Sequence, residues 1–127
     1  MPGETKRAVF AQPEWLRQVP TDRRLPAGAR VVHTGCGTSF HAAQTGGLAV
    51  QALEAALEPP EADVLVAVSH EGETALTLAV VRSFPGETWL VTGRESSPLA
   101  EAADEVVVVT PDVERSWCHT ASYTCAV

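Results

Sequence analysis

The run Val64-Leu65-Val66-Ala67-Val68 is apolar at every position. A strand with one wet face alternates apolar and polar residues, so a run with no polar face reads as a strand buried on both sides. Three more short apolar segments, Val31-Val32-His33-Thr34, Trp89-Leu90-Val91-Thr92 and Val106-Val107-Val108-Val109, read as strands as well. Helical patterns separate them. Strands alternating with helices specify an α/β fold, a parallel sheet with helices on both faces. Right-handed crossovers bring every strand exit to one edge, and a ligand site belongs there.

Residues 1–30 divide into an N-terminal helix, from about Glu4 to Val19, and a polar linker from Pro20 to Arg30; residues 31–127 form the domain proper. Gln12-Pro13-Glu14 reads as a local helix restart, since proline is tolerated in a first helical turn. A second helix is expected from Phe40 to Leu57. Its apolar or small residues Phe40, Ala43, Gly47, Val50, Leu53 and Leu57 recur at spacings of three and four and face the core. Glycine inside a helix costs about 1 kcal/mol relative to alanine, so Gly46-Gly47 implies the close approach of another backbone. Further helices are expected through Leu76, Ala79 and Val80, from Pro98 to about Ala103, and from Thr120 onward. This reading counts four strands.

The chain has 127 residues, enough for one domain that buries roughly two-thirds of its unfolded surface. Its 45% hydrophobic and 20% charged content is that of a soluble globular chain, and its net charge of −7 argues against nucleic acid or an anionic membrane as partner. The Met-Pro-Gly-Glu start is not a signal peptide, and no apolar run approaches a transmembrane length. Cys36, Cys118 and Cys125 form neither a closed disulfide set nor a zinc spacing. A reducing, cytoplasmic setting without metal or cofactor is expected.

Two strand exits share one pattern, a hydroxyl-bearing turn with glycine ahead of a helix. After the first strand comes Gly35-Cys36-Gly37-Thr38-Ser39, and after the second Ser69-His70-Glu71-Gly72-Glu73-Thr74. Such turns aim hydroxyls and backbone N–H groups at one spot where an anion is favoured. They also serve simply to turn the chain and cap a helix. Phe40 replaces the third glycine of G-x-G-x-x-G, and no G-K-[ST] occurs, so nucleotide readings fail. His70 is the best acid–base candidate, although a backbone-capping role fits it equally. His119 sits in the terminal segment and can approach the same edge. His33 reads as a core residue, and His41 either reaches the site or faces solvent. Cys36 is a nucleophile near a helix start or, more simply, a small residue that fits the turn. Glu71 and Glu73 suit a helix start, but Glu71 would repel a phosphate.

Taken in order, GCGTS, VSHEGET and TGRESSPLAEAADEVVVV resemble the SIS (sugar isomerase) domain over nearly the whole chain. Gln12-Pro13 resembles the Q-P that precedes a first SIS domain. The resemblance is to the isomerase half of glucosamine-6-phosphate synthase and to tagatose/galactosamine-6-phosphate isomerase–deaminase proteins. Glu114-Arg115-Ser116-Trp117 through Thr124 is more similar to the second group. The resemblance implies a flavodoxin-like three-layer α/β/α fold whose parallel sheet lacks the family's last strand here. It implies a hexose or amino-hexose 6-phosphate held by Gly37, Thr38, Ser39, Ser69, His70, Gly72 and Thr74, with His70, Glu71 and His119 as the catalytic candidates. The family's last binding positions fall on Trp117 and His119. Most catalytic residues of such enzymes lie in a second SIS domain. Two alternatives stand beside the enzyme reading: a non-catalytic phosphosugar sensor and an assembly module. An exposed sheet edge implies a homodimer or larger homo-oligomer.

Overall fold

The computed structural model describes residues 2–116 and 119–127, so Trp117 and Cys118 lie outside the described residues. A parallel five-stranded sheet runs in the order β2-β1-β3-β4-β5, with β1 Val31–Gly35, β2 Ala49–Gln51, β3 Val64–Val68, β4 Glu87–Thr92 and β5 Glu105–Val108. The helices are α1 Pro2–Arg17, α2 Thr38–Gln44, α3 Ala52–Leu57, α4 Ala75–Ser83, α5 Pro98–Ala102 and α6 Ala121–Ala126.

Side chains alternate across a strand, and the core follows that alternation. Val32, Leu65, Ala67 and Leu90 point to one face, where α3, α4 and α5 cover them with Ala52, Ala55, Val80, Val81, Phe84 and Leu99. Val68 points to the other face, under Ala42 and Ala43 of α2 and Tyr123 and Ala126 of α6. Lower on that face Val64, Val66 and Trp89 form a separate cluster. The linker reaches this cluster through Arg23. Its guanidinium sits 5.1 Å from the Trp89 ring centre, pairs with Glu105 at 2.6 Å and donates to Val106 O at 3.2 Å on the edge strand. An exposed cation–π contact contributes roughly 0.5–1 kcal/mol. Arg23→Ala should therefore lower the melting temperature by only a few degrees, measurable by calorimetry; an unchanged value would remove Arg23 from the account.

Three expectations are corrected. The helix from Phe40 to Leu57 is two helices with a strand between them. Gly46 and Gly47 (φ 128°) end α2, and a Cβ on Gly46 would meet the His33 ring at 2.5 Å. The close approach anticipated there is thus that of a side chain. The chain turns back, and His33 N donates to Leu48 O (2.8 Å) and Thr34 Oγ1 to Val50 O (2.7 Å). Leu53 and Leu57, expected in the core, are 54% and 79% exposed. The sheet accordingly has five strands rather than four, and its fifth is Ala49–Gln51, drawn from the middle of that helix. Pro13 lies inside one continuous α1 and does not restart it. Proline removes one helical N–H donor, which α1 tolerates while its other face packs on α6, with Thr124 Oγ1 donating to Gln12 Oε1 at 3.0 Å. On α4 the buried residues are Thr77, Val80 and Val81, while Leu76 is exposed. No helix among the described residues is long and apolar enough to cross a membrane.

Candidate functional site

The exits of β1, β3, β4 and β5 meet at one edge of the sheet. At the first, Ser39 N donates to Cys36 O (3.1 Å) and Phe40 N to Gly37 O (3.0 Å), which closes the opening turn of α2. Gly35 leaves no room for a side chain, because a Cβ there would lie 2.9 Å from the Ser39 carbonyl carbon. Gly37 adopts φ 57°. At the second exit, buried Ser69 Oγ accepts from Gly72 N (3.2 Å) and lies 3.3 Å from Thr74 Oγ1. Gly72 adopts φ 72°, and a Cβ on it would run into the Ser97 side chain. Leu99 N donates to Gly72 O (3.1 Å), tying this loop to the start of α5.

Thr38, Ser39, Ser69 and Thr74 line one open cleft of about 410 Å³ together with Cys36, His70, Glu71, Glu73 and His119. Gly37 and Gly72 shape its turns through the backbone. Glu71 is exposed, and Glu73 pairs with Arg94 at 3.1 Å. Behind Thr38, Ser39 and the two histidines lies a smaller void of about 20 Å³, bordered by Thr92, Ser122 and Tyr123, with room for about one water. His41 faces solvent, 3.1 Å from Gln44 Oε1. His33 is buried, with Nδ1 3.2 Å from Leu48 O, as a core residue. Cys36 Sγ lies 3.8 Å from Thr77 Oγ1 and packs against the core.

His70 stands between the β3 exit and the C-terminal segment. Its Nε2 accepts from Glu114 N at 2.7 Å, which places the ring proton on Nδ1 in the neutral form. Its ring meets that of His119 edge-on, with centres 5.3 Å apart. Gly93 provides the space, since a Cβ there would collide with the His70 ring. Burial, and then the neighbouring His119, hold the His70 pKa below its usual 6.5, against the opposing pull of Glu114 and Glu71. A ring engaged in this way already caps a backbone N–H.

Glu114 is the functional residue that sequence reasoning missed. Only 5% exposed, its carboxylate accepts from Ser116 Oγ (2.9 Å), Thr120 N (2.8 and 3.1 Å), Thr120 Oγ1 (3.1 Å), Ala121 N (3.2 Å), Ser122 N (3.1 Å) and Ser122 Oγ (2.5 Å). Burial by itself would raise its pKa. The bonds from Ser122, Thr120 and Ser116 outweigh burial and push it down to about 2. The available signal was a glutamate followed within eight residues by Ser116, Thr120 and Ser122, a run of hydroxyls with no apolar partner.

This arrangement, a five-stranded parallel sheet between helices with a hydroxyl-lined cleft at the strand exits, is the fold of the SIS domains that the sequence resembles. The chain is similar to an E. coli CFT073 protein in complex with a sugar phosphate (22% identity, TM-score 0.72), covering 95% of this chain and 80% of that one. It is similar also to the C-terminal domain of glucosamine-fructose-6-phosphate aminotransferase from Francisella tularensis (19%, TM-score 0.82), covering 97% of this chain but 44% of that one. The Vibrio vulnificus NanR protein complexed with ManNAc-6P gives 15% identity and a TM-score of 0.66, over 98% of this chain and 55% of that one. The chain thus spans about half the length of the last two. No family model matches the chain, and no curated protein does either.

Proposed function

We propose that the strand-exit cleft binds a hexose or amino-hexose 6-phosphate, and that the chain is the phosphosugar-binding SIS domain of an aldose–ketose isomerase or amino-sugar deaminase type protein. One observation carries the reading: Thr38 and Ser39 from one turn, and Ser69 and Thr74 from another, line the same cleft. Four hydroxyls with the N-terminus of α4 suit a phosphate in a chain of net charge −7, whose surface attracts no anion elsewhere. That structurally similar proteins are complexed with sugar phosphates supports it.

In an isomerase the chemistry is ring opening followed by movement of a proton between C1 and C2 through an enediol. Of the candidate bases, His70 is engaged by Glu114 N, which leaves Glu71 and His119. That engagement favours the second reading, a non-catalytic sensing or assembly module. Self-association as a homodimer or larger, in a cytoplasmic setting, accompanies either reading; Leu48, Leu53 and Leu57 beside the β2 edge are exposed apolar residues available for it.

The test is thermal stabilisation and turnover with fructose 6-phosphate, glucosamine 6-phosphate and galactosamine 6-phosphate. The parent chain should melt several degrees higher with at least one of them, and Ser39→Ala and Ser69→Ala should abolish that gain. Stabilisation that survives both substitutions removes the site assignment. Product formation makes the chain an enzyme, and binding without product makes it a sensor.

A further inference from the structure

The described hydrogen bonds of the segment that walls the cleft on its C-terminal side converge on one side chain. Between the end of β5 and the start of α6 the chain takes no regular form, yet it supplies His119 to the cleft and Ser122 and Tyr123 to the void behind it. Six donor groups from Ser116, Thr120, Ala121 and Ser122 point at the Glu114 carboxylate. The backbone N–H of the same residue holds His70 Nε2, and His70 in turn holds the ring of His119 edge-on. Nothing in this set touches the open cleft through Glu114 itself.

We propose that Glu114 is the positioning residue of the cleft: its buried carboxylate folds residues 114–122 around itself, and its backbone N–H fixes His70 and, through it, His119 where a ligand is met. The inference rests on the phosphosugar reading for the nature of that ligand, though not for the geometry. Its physical basis is that a fully satisfied buried charge is a rigid organiser. Replacing one of the two carboxylate oxygens by an amide NH₂ sets a donor against donors. The groups that face His70 and set its protonation are His119, Glu114, Glu71 and Arg94.

The experiment uses the whole chain carrying Glu114→Gln. It reads the dissociation constant for fructose 6-phosphate and glucosamine 6-phosphate by calorimetry, the titration of His70 by NMR, and amide protection in β3 and β4. The expected result is a loss of affinity of about tenfold or more, with His70 titrating near the usual 6.5 and the sheet amides still protected. Affinity within twofold of the parent, a His70 titration that stays low, or a change in only one of the two readouts overturns the proposal. If the parent chain binds neither sugar phosphate, the functional reading fails while the His70 titration still decides the positioning role. Should Glu114→Gln not fold, Ser122→Ala removes a single donor; it should shift both readouts the same way and less far, and unchanged readouts overturn the proposal.

Discussion

Leu90→Ala should destabilise the domain by about 2–5 kcal/mol, the range for removing a fully buried leucine side chain from a core that relaxes only partly. Leu90 has no exposed surface and lies on β4, inside the sheet, where the register sets it beside Ala67 and Val106. On its face of the sheet it packs with Val32, Leu65, Val80, Val81, Phe84 and Leu99, drawn from strands and helices on every side. A site enclosed by so many elements has little freedom to collapse, so the effect belongs to the upper half of the range. For a domain of this size each kcal/mol moves the melting temperature by roughly 3–5 °C, and thermal unfolding should register a fall of about 10 °C or more. Leu76→Ala is the internal control: the same chemistry at a position 41% exposed on α4 should cost under about 1 kcal/mol. Equal effects at the two positions would mean that the helices on this face are misplaced.

That pair of leucines also shows where the sequence was legible. The strands β1, β3, β4 and β5 could be found because a strand covered on both faces has no choice but to be apolar throughout, as Val64–Val68 is. The turns could be found because Gly37 and Gly72 take positive φ and hydroxyls sit beside them. Helical periodicity misled at β2. Three residues, Ala49–Gln51, are too few to show a strand pattern, and Phe40, Ala43, Gly47, Val50, Leu53 and Leu57 happen to recur at helical spacing across a chain reversal. The Gly46-Gly47 pair marked the break, but its partner is the ring of His33, more than ten residues earlier, a contact that no local pattern encodes. The candidate site divides in the same way. Thr38, Ser39, Ser69 and Thr74 follow from strand-exit logic, because topology alone brings them to one edge. Glu114 does not, since a carboxylate near a chain of hydroxyls reads as a solvated turn until the fold buries it.

Acidification should unfold the domain in two stages, both with the same sign. His70 is held below its usual 6.5 by burial and His119, so near that pH the unfolded chain takes up a proton that the folded chain refuses. Stability is then full above about 6.5 and declines as the pH falls below it, until the folded-state value is reached. Glu114 acts through its charge instead. Its pKa of about 2 against an ordinary 4.5 means that the folded state keeps the carboxylate ionised where the unfolded state protonates it, so this contribution is complete above 4.5 and is lost as the pH falls from 4.5 toward 2. Because both groups favour the less protonated folded form, no compensating rise is expected between the two windows. Melting temperature measured from pH 8 to pH 3 should therefore hold steady to about pH 7, sag through the His70 window and drop more steeply below 4.5. His70→Gln should remove the first decline. Glu114→Gln should start from a lower melting temperature and flatten the second, since the titrating group is gone. A curve as steep below pH 4.5 in Glu114→Gln as in the parent would place the acid sensitivity on other carboxylates and leave Glu114 without its buried charge.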